Sequence, residues 1–136
     1  MALTSRLSSG GSASSRSTKI YTGSTNCKVG AETTTFEFAG GGKLNKMLVA
    51  LNATLGTGGY VRILVDDEEL YKYTGGTSSS SSLYLYRFHN GELAMGTTYD
   101  DPTLPLDIEF KHNFKIIIYS ANNAPKATYT VEIARD

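Results

Sequence analysis

Residues Tyr60–Tyr73, YVRILVDDEELYKY, decide the fold. Val61, Ile63 and Val65 alternate with Tyr60, Arg62 and Leu64, the period of two that puts one set of side chains on one face of a strand. The acidic run Asp66–Glu69 has the length of a hairpin connection, and Leu70–Tyr73 returns from it. This stretch predicts two antiparallel strands with Val61, Ile63 and Val65 turned toward a core.

The same grammar extends in both directions. Upstream, TTTFEFA (Thr33–Ala39) places Phe36 and Phe38 on one face and Thr35 and Glu37 on the other. Gly40–Gly42 reads as a turn. LNKMLVALNATL (Leu44–Leu55) is the longest apolar run, and Leu44, Leu48, Leu51 and Leu55 also match a helical stripe. Its second half alternates, with Val49, Leu51, Ala53 and Leu55 on one side, and glycines bracket it, so a strand is predicted. Gly56–Gly59 is the next turn. Downstream, TGGTSSSSS (Thr74–Ser82) reads as a mobile low-complexity loop. LYLYRFH (Leu83–His89) reads as a strand with Tyr84, Tyr86 and Phe88 on one face. Asn90–Thr103 is loop-like. LPLDIEF (Leu104–Phe110) aligns Leu104, Leu106, Ile108 and Phe110 in a strand, and KHN follows as a tight connection. FKIIIYS (Phe114–Ser120) and ATYTVEIA (Ala127–Ala134) read as a closing hairpin whose turn chemistry comes from Asn122, Asn123 and Pro125. About eight or nine short strands and no helix predict an all-β, two-sheet antiparallel β-sandwich of jelly-roll or immunoglobulin-like type. It spans residues 19–136, a single domain large enough to bury a core without staples.

Residues 1–18, MALTSRLSSGGSASSRST, have a different composition. Serine, glycine and threonine dominate, so the segment cannot bury enough apolar surface to offset its ordering entropy, and a flexible arm is predicted. Leu3 and Leu7 are its apolar anchors and Arg6 and Arg16 its charges. These four are the candidates for seating the arm on a partner. Up to Ala31 the charged residues are all basic, and Glu32 is the first acid. Over the whole chain 13 basic residues balance 13 acidic ones. That balance lacks the basic excess that phosphate neutralisation demands, so no nucleic-acid partner is expected. No run approaches a membrane span, and Arg6 is followed by no apolar stretch of the signal-peptide kind. Synthesis in a cytoplasm, without a signal peptide, is the expectation.

Residues capable of chemistry are few. The acids Asp66, Asp67, Glu68 and Glu69 lack the spacing of a calcium loop, and a solvated hairpin tip accounts for them. Asp100 and Asp101 precede Pro102 as turn residues. His89, His112 and the single cysteine, Cys27, are too scattered for a zinc site. One cysteine excludes an internal disulfide. A Cys27 nucleophile needs a base and an orienting partner, which no motif supplies. Asn52–Thr54 is a glycosylation sequon, but it lies in a predicted strand. No catalytic residue, cofactor or metal is therefore expected. Tyr60, Tyr84, Tyr86 and Tyr99 are candidates for stacking on a sugar. Aromatics at a period of two are more often one wall of a core, which is the role expected of Tyr84 and Tyr86.

The layout from Tyr60 to Ile133 resembles small β-sandwich proteins of tailed-bacteriophage virions. The features that carry the likeness are a strand ending in an acidic turn (Val65–Glu68), a proline-led apolar strand ending in phenylalanine (Pro105–Phe110), a polar turn and a closing apolar hairpin. A Ser/Gly-rich arm that orders on a neighbouring subunit suits such a particle. The resemblance implies a head, neck or tail accessory protein of the virion, a capsid-decoration protein among them. It also implies contacts with other virion proteins, a homo-oligomeric or multi-copy state, and no catalytic residues. The competing expectation is a glycan-binding or host-adhesion module, weakened by the absence of tryptophan.

Overall fold

The computed structural model describes residues 16–74, 81–97 and 104–136. Among them are ten strands and no helix. The strands are β1 (Ser17–Asn26), β2 (Glu32–Ala39), β3 (Gly42–Leu51), β4 (Tyr60–Val65), β5 (Glu68–Tyr73), β6 (Ser81–Arg87), β7 (Leu93–Gly96), β8 (Ile108–Phe110), β9 (Asn113–Tyr119) and β10 (Lys126–Arg135). Two antiparallel sheets pack face to face. One has the order β1-β10-β3-β6-β7, with β8 also paired to β3; the other has the order β2-β9-β4-β5.

The pairings nest. β1 pairs with β10, β2 with β9, β3 with β8 and β6, and β4 with β5. The molecule is thus a long antiparallel ribbon folded over into two layers. Consecutive strands β1, β2, β3 and β4 alternate between the sheets. An immunoglobulin sandwich keeps its first two strands in one sheet, so this order is that of a jelly roll.

The ribbon's tip is the turn predicted from the acidic run, and it is shorter than expected. Only Asp66 and Asp67 form it, with φ of 52° and 66°, while Glu68 and Glu69 belong to β5. Two successive positive φ values make a type I′ turn, whose twist matches that of the flanking strands and which Asp tolerates. The Asp66 carboxylate accepts backbone hydrogen bonds from Lys111 (3.0 Å), His112 (2.6 Å) and Asn113 (3.1 Å). These bonds hold its pKa below the usual carboxylate range, chiefly through the His112 and Lys111 amides. Asp66 is therefore a latch between the β4–β5 turn and the β8–β9 connection rather than only a solvated tip.

The core lies between the sheets. Leu44, Met47, Val49, Leu83, Leu85, Val131 and Ile133 face inward from the larger sheet, and Phe36, Val61, Ile63, Phe114, Ile116 and Ile118 from the smaller one. Phe36 links the layers, 4.9 Å from Tyr129 and 6.1 Å from Phe114 between ring centroids. Such tilted contacts add to the burial of the rings themselves.

Several expectations change. The predicted closing hairpin does not form: β9 and β10 lie in different sheets, because the connection Ser120–Pro125 carries the chain across the sandwich. β3 ends at Leu51, where Asn52 and Ala53 bend. Leu93–Gly96 is a strand inside the predicted loop, an edge partner of β6. Of Leu104–Phe110 only Ile108–Phe110 is strand, since Asp107 adopts a φ of 56° that breaks the extended chain. Ser17 and Thr18, assigned to the arm, begin β1, and Ser81 and Ser82, assigned to a loop, begin β6. The rest of the arm bar Arg16, the remainder of that loop bar Thr74, and Tyr99 lie outside the described residues.

Candidate interaction surfaces

The register fixes which side chains share each outer face. On the larger sheet one row runs Thr22, Thr130, Leu48, Tyr84, Gly96 across five of its six strands. Beside it run Ser24, Thr128, Ala50 and Ser82, and on the other side Ile20, Glu132 and Lys46. Tyr86 lies opposite Ala94 and packs edge-on against Phe88, 5.3 Å away. The centre of the face is made of small, hydroxyl-bearing, aliphatic and aromatic residues; around it stand the cross-strand neighbours Lys46 and Glu132, Lys126 at one end, and at the other Lys43, opposite Glu109 and ion-paired to Asp107. Ile20 is 59% exposed.

Tyr84 and Tyr86 sit on this outer face. Their predicted place in the core belongs to Leu83 and Leu85, which are almost completely buried. The alternation was visible in LYLYR, but both halves of it are apolar enough to pass for the inner set, so the period left the face undecided.

The outer face of the smaller sheet is a charge network. Its rows are Glu32, Tyr119, Tyr60; Thr34, Ile117, Arg62, Lys72; and Glu37, Lys115, Leu64, Glu69. Arg62 bridges Glu32 at 2.7 Å and Glu69 at 2.9 Å. Lys115 reaches Asp67 at 3.2 Å. The Tyr60 hydroxyl donates to Glu32 at 2.5 Å, its ring stacks on Tyr119 with centroids 5.2 Å apart, and the Lys72 ammonium lies 4.2 Å from its centroid. The Tyr60 hydroxyl and the Arg62 guanidinium together lower the Glu32 pKa, and the same hydrogen bond raises that of Tyr60. Tyr60 is thus a sugar-stacking candidate whose ring and hydroxyl join acidic and basic partners. None of Glu32, Arg62 or Tyr119 was singled out from sequence. Their signal was the outward phase of the strand alternation, which gives no weight to charge pairing across strands.

Arg16, expected to reach a partner, bonds within its own chain. It forks onto Glu109 at 2.7 and 3.1 Å and onto Asp136 at 3.0 Å, tying the start of β1 to β8 and to the chain end. Leu3, Arg6 and Leu7 lie outside the described residues. Between β5 and the β6–β7 hairpin opens a cleft of about 550 Å³ lined by Leu70, Arg87, Glu92, Leu93 and Ile108 among others. Arg87 there donates to the carbonyl oxygens of Leu106 and Gly91. Cys27 is buried, and that burial raises its thiol pKa, the opposite of an activated nucleophile. Among the described residues no three His, Cys, Asp or Glu side chains are grouped to hold a metal.

These features define a class, a jelly-roll β-sandwich with one outer face uncharged at its centre and the other charge-networked. No protein-family model matches the chain, and no curated protein matches it.

Proposed function

We propose that this protein is a non-enzymatic structural component of a multi-copy assembly, and that the assembly is the virion of a tailed bacteriophage. The observation that carries the assembly reading is the outer face of the larger sheet. Its central rows, around Leu48, Tyr84 and Thr130, can be covered by another subunit without desolvating a charge, a cost that disfavours burial of ionised groups. Interface centres share this depletion of charge and enrichment in tyrosine. The virion context rests on the resemblance of Tyr60–Ile133 to small virion sandwiches and on the Ser/Gly-rich arm. In this reading Leu3, Arg6 and Leu7 add a second, weaker contact to a neighbouring subunit, and linking two contacts raises avidity through effective concentration.

The competing reading, a glycan-binding module, draws on the stacked Tyr60–Tyr119 pair with Glu32 and Arg62 beside it. Light scattering and a glycan array on the full-length protein separate the two. The assembly reading expects a multi-copy species and an empty array. Specific glycan binding abolished by Tyr60→Ala, with a monomer in solution, decides for the other.

A further inference from the structure

Every open sandwich has free strand edges, and natural sheets protect them with charges, bulges, prolines or shortness. Three edges of this molecule carry such devices. β2 is bulged at Thr35 and bears Glu32 and Glu37. β5 is bulged at Leu70 and bears Glu68, Glu69 and Lys72. β7 is four residues long. β1 carries the least of this protection, a lone lysine. It is a ten-residue strand, STKIYTGSTN, paired to β10 over its whole length with no register shift, and it has no proline and a single charge, Lys19. Its opposite edge has no strand partner among the described residues.

We infer that the free edge of β1 is a pairing site for β1 of a second copy, joined antiparallel about a two-fold axis through Thr22. This deepens the assembly reading and rests on it for the presence of a second copy. The sequence of the strand complements itself in that register. Thr22 meets Thr22 of the other copy, Tyr21 meets Gly23, and Ile20 meets Ser24, so each large side chain faces a small one. β1 already makes this kind of match with β10, where Tyr129 lies opposite Gly23 and the Tyr129 hydroxyl fills the space a Cβ at Gly23 would need. Lys19 meets Thr25, and the two Lys19 side chains stand six residues apart, about 20 Å at roughly 3.4 Å per residue, so like charges never oppose. Ile20, the most exposed large apolar residue described, gains cover from the neighbouring strand. The two larger sheets become one continuous sheet, and their outer faces merge into a single surface.

A disulfide reads the register directly. Directly opposed residues of an antiparallel pair have Cα atoms about 4.5–5.5 Å apart, inside the range a disulfide spans. Thr22→Cys in the full-length chain, incubated with oxidised glutathione, is expected to give a covalent dimer on non-reducing electrophoresis. Lys72→Cys on the protected β5 edge, treated alike, is expected to stay single, and native Cys27 is buried in both. As a second reading independent of substitution, amide exchange across Ser17–Ser24 in the unmodified protein is expected to slow as concentration rises. Failure of Thr22→Cys to cross-link faster than Lys72→Cys overturns the inference. So does β1 exchange that is independent of concentration, whether fast throughout or protected throughout by another segment of the same chain. A protein that forms multi-copy species while Thr22→Cys stays unlinked defeats the β1 pairing and leaves the assembly reading standing. A protein that stays monomeric at every concentration defeats both.

Discussion

The two outer faces of this sandwich differ most in the chemistry at their centres. On the smaller sheet Arg62, Glu32, Glu69, Lys115, Asp67 and Tyr60 satisfy one another, so covering that face means desolvating a network of charges. On the larger sheet the corresponding positions hold Thr22, Thr130, Leu48, Ala50 and Tyr84. The inner faces show no such contrast, since both present large aliphatic or aromatic side chains to one core. The lesson is that folding uses the inner phase of each strand, and that the outer phase is where two equivalent sheets can be given different tasks.

If the inner faces are equivalent, truncating either should cost the same. Ile63→Ala in the smaller sheet and Leu85→Ala in the larger one are each expected to destabilise by about 2–5 kcal/mol, read from chemical denaturation. A loss confined to one of them would show that the sheets do not share one core. The next effect belongs to acid. The pKa values of Glu32, Asp66, Asp67 and Glu109 are all depressed by donors and cations in the folded chain. A carboxylate with a depressed folded pKa contributes stability that is fully present above its unfolded value, near 4. That contribution is lost as pH falls through the folded value. The unfolding midpoint should therefore hold to about pH 5 and drop below pH 4, and Asp66→Asn should make that acid limb shallower. An unaltered limb would mean that the latch onto Lys111–Asn113 forms no part of it.

A smaller change sharpens the account of the β2 bulge. Thr35 is the extra residue there, and its hydroxyl is buried without a hydrogen-bond partner among the described residues. Thr35→Val keeps the shape and removes the orphan, so a gain of about 1 kcal/mol is expected. A loss would reveal a partner for the hydroxyl. Least of all, Arg62→Leu on the charged face should cost about 1 kcal/mol or less, because its bridges are solvent-screened. Added salt should shrink the difference.

How much of this was legible depends on the residue. The Tyr60–Tyr73 hairpin announced itself because local turn chemistry and alternation agree there. The β9–β10 crossover did not. A turn rich in Asn and Pro joins strands of one sheet or of two, and only the nested pairing of β1 with β10 and β2 with β9 decides between them. β7 was hidden because Leu93–Gly96 is short and takes its definition from β6. Leu104–Asp107 passed for a strand because Leu104, Leu106 and Ile108 alternate, although Asp107 turns the backbone. Of the candidate surfaces, Tyr60 was named from sequence, but the charge network around it comes from four strands and has no linear signature. Tyr84 and Tyr86 were named as well and then assigned to the wrong side of their strand, for want of any polar residue to mark the outside.

The central claim is that the uncharged centre of the larger sheet's outer face holds subunits together, and Leu48 stands in the middle of it. The most direct test is the size of the full-length protein and of its Leu48→Lys variant, measured by sedimentation across concentration. The partly exposed, outward-facing position should accept lysine without unfolding, which an unchanged melting temperature confirms. The account predicts that the unmodified protein exceeds two copies, and that Leu48→Lys stops at the two copies joined through β1. An unmodified protein that never exceeds two copies, or a Leu48→Lys variant of undiminished size, would contradict it.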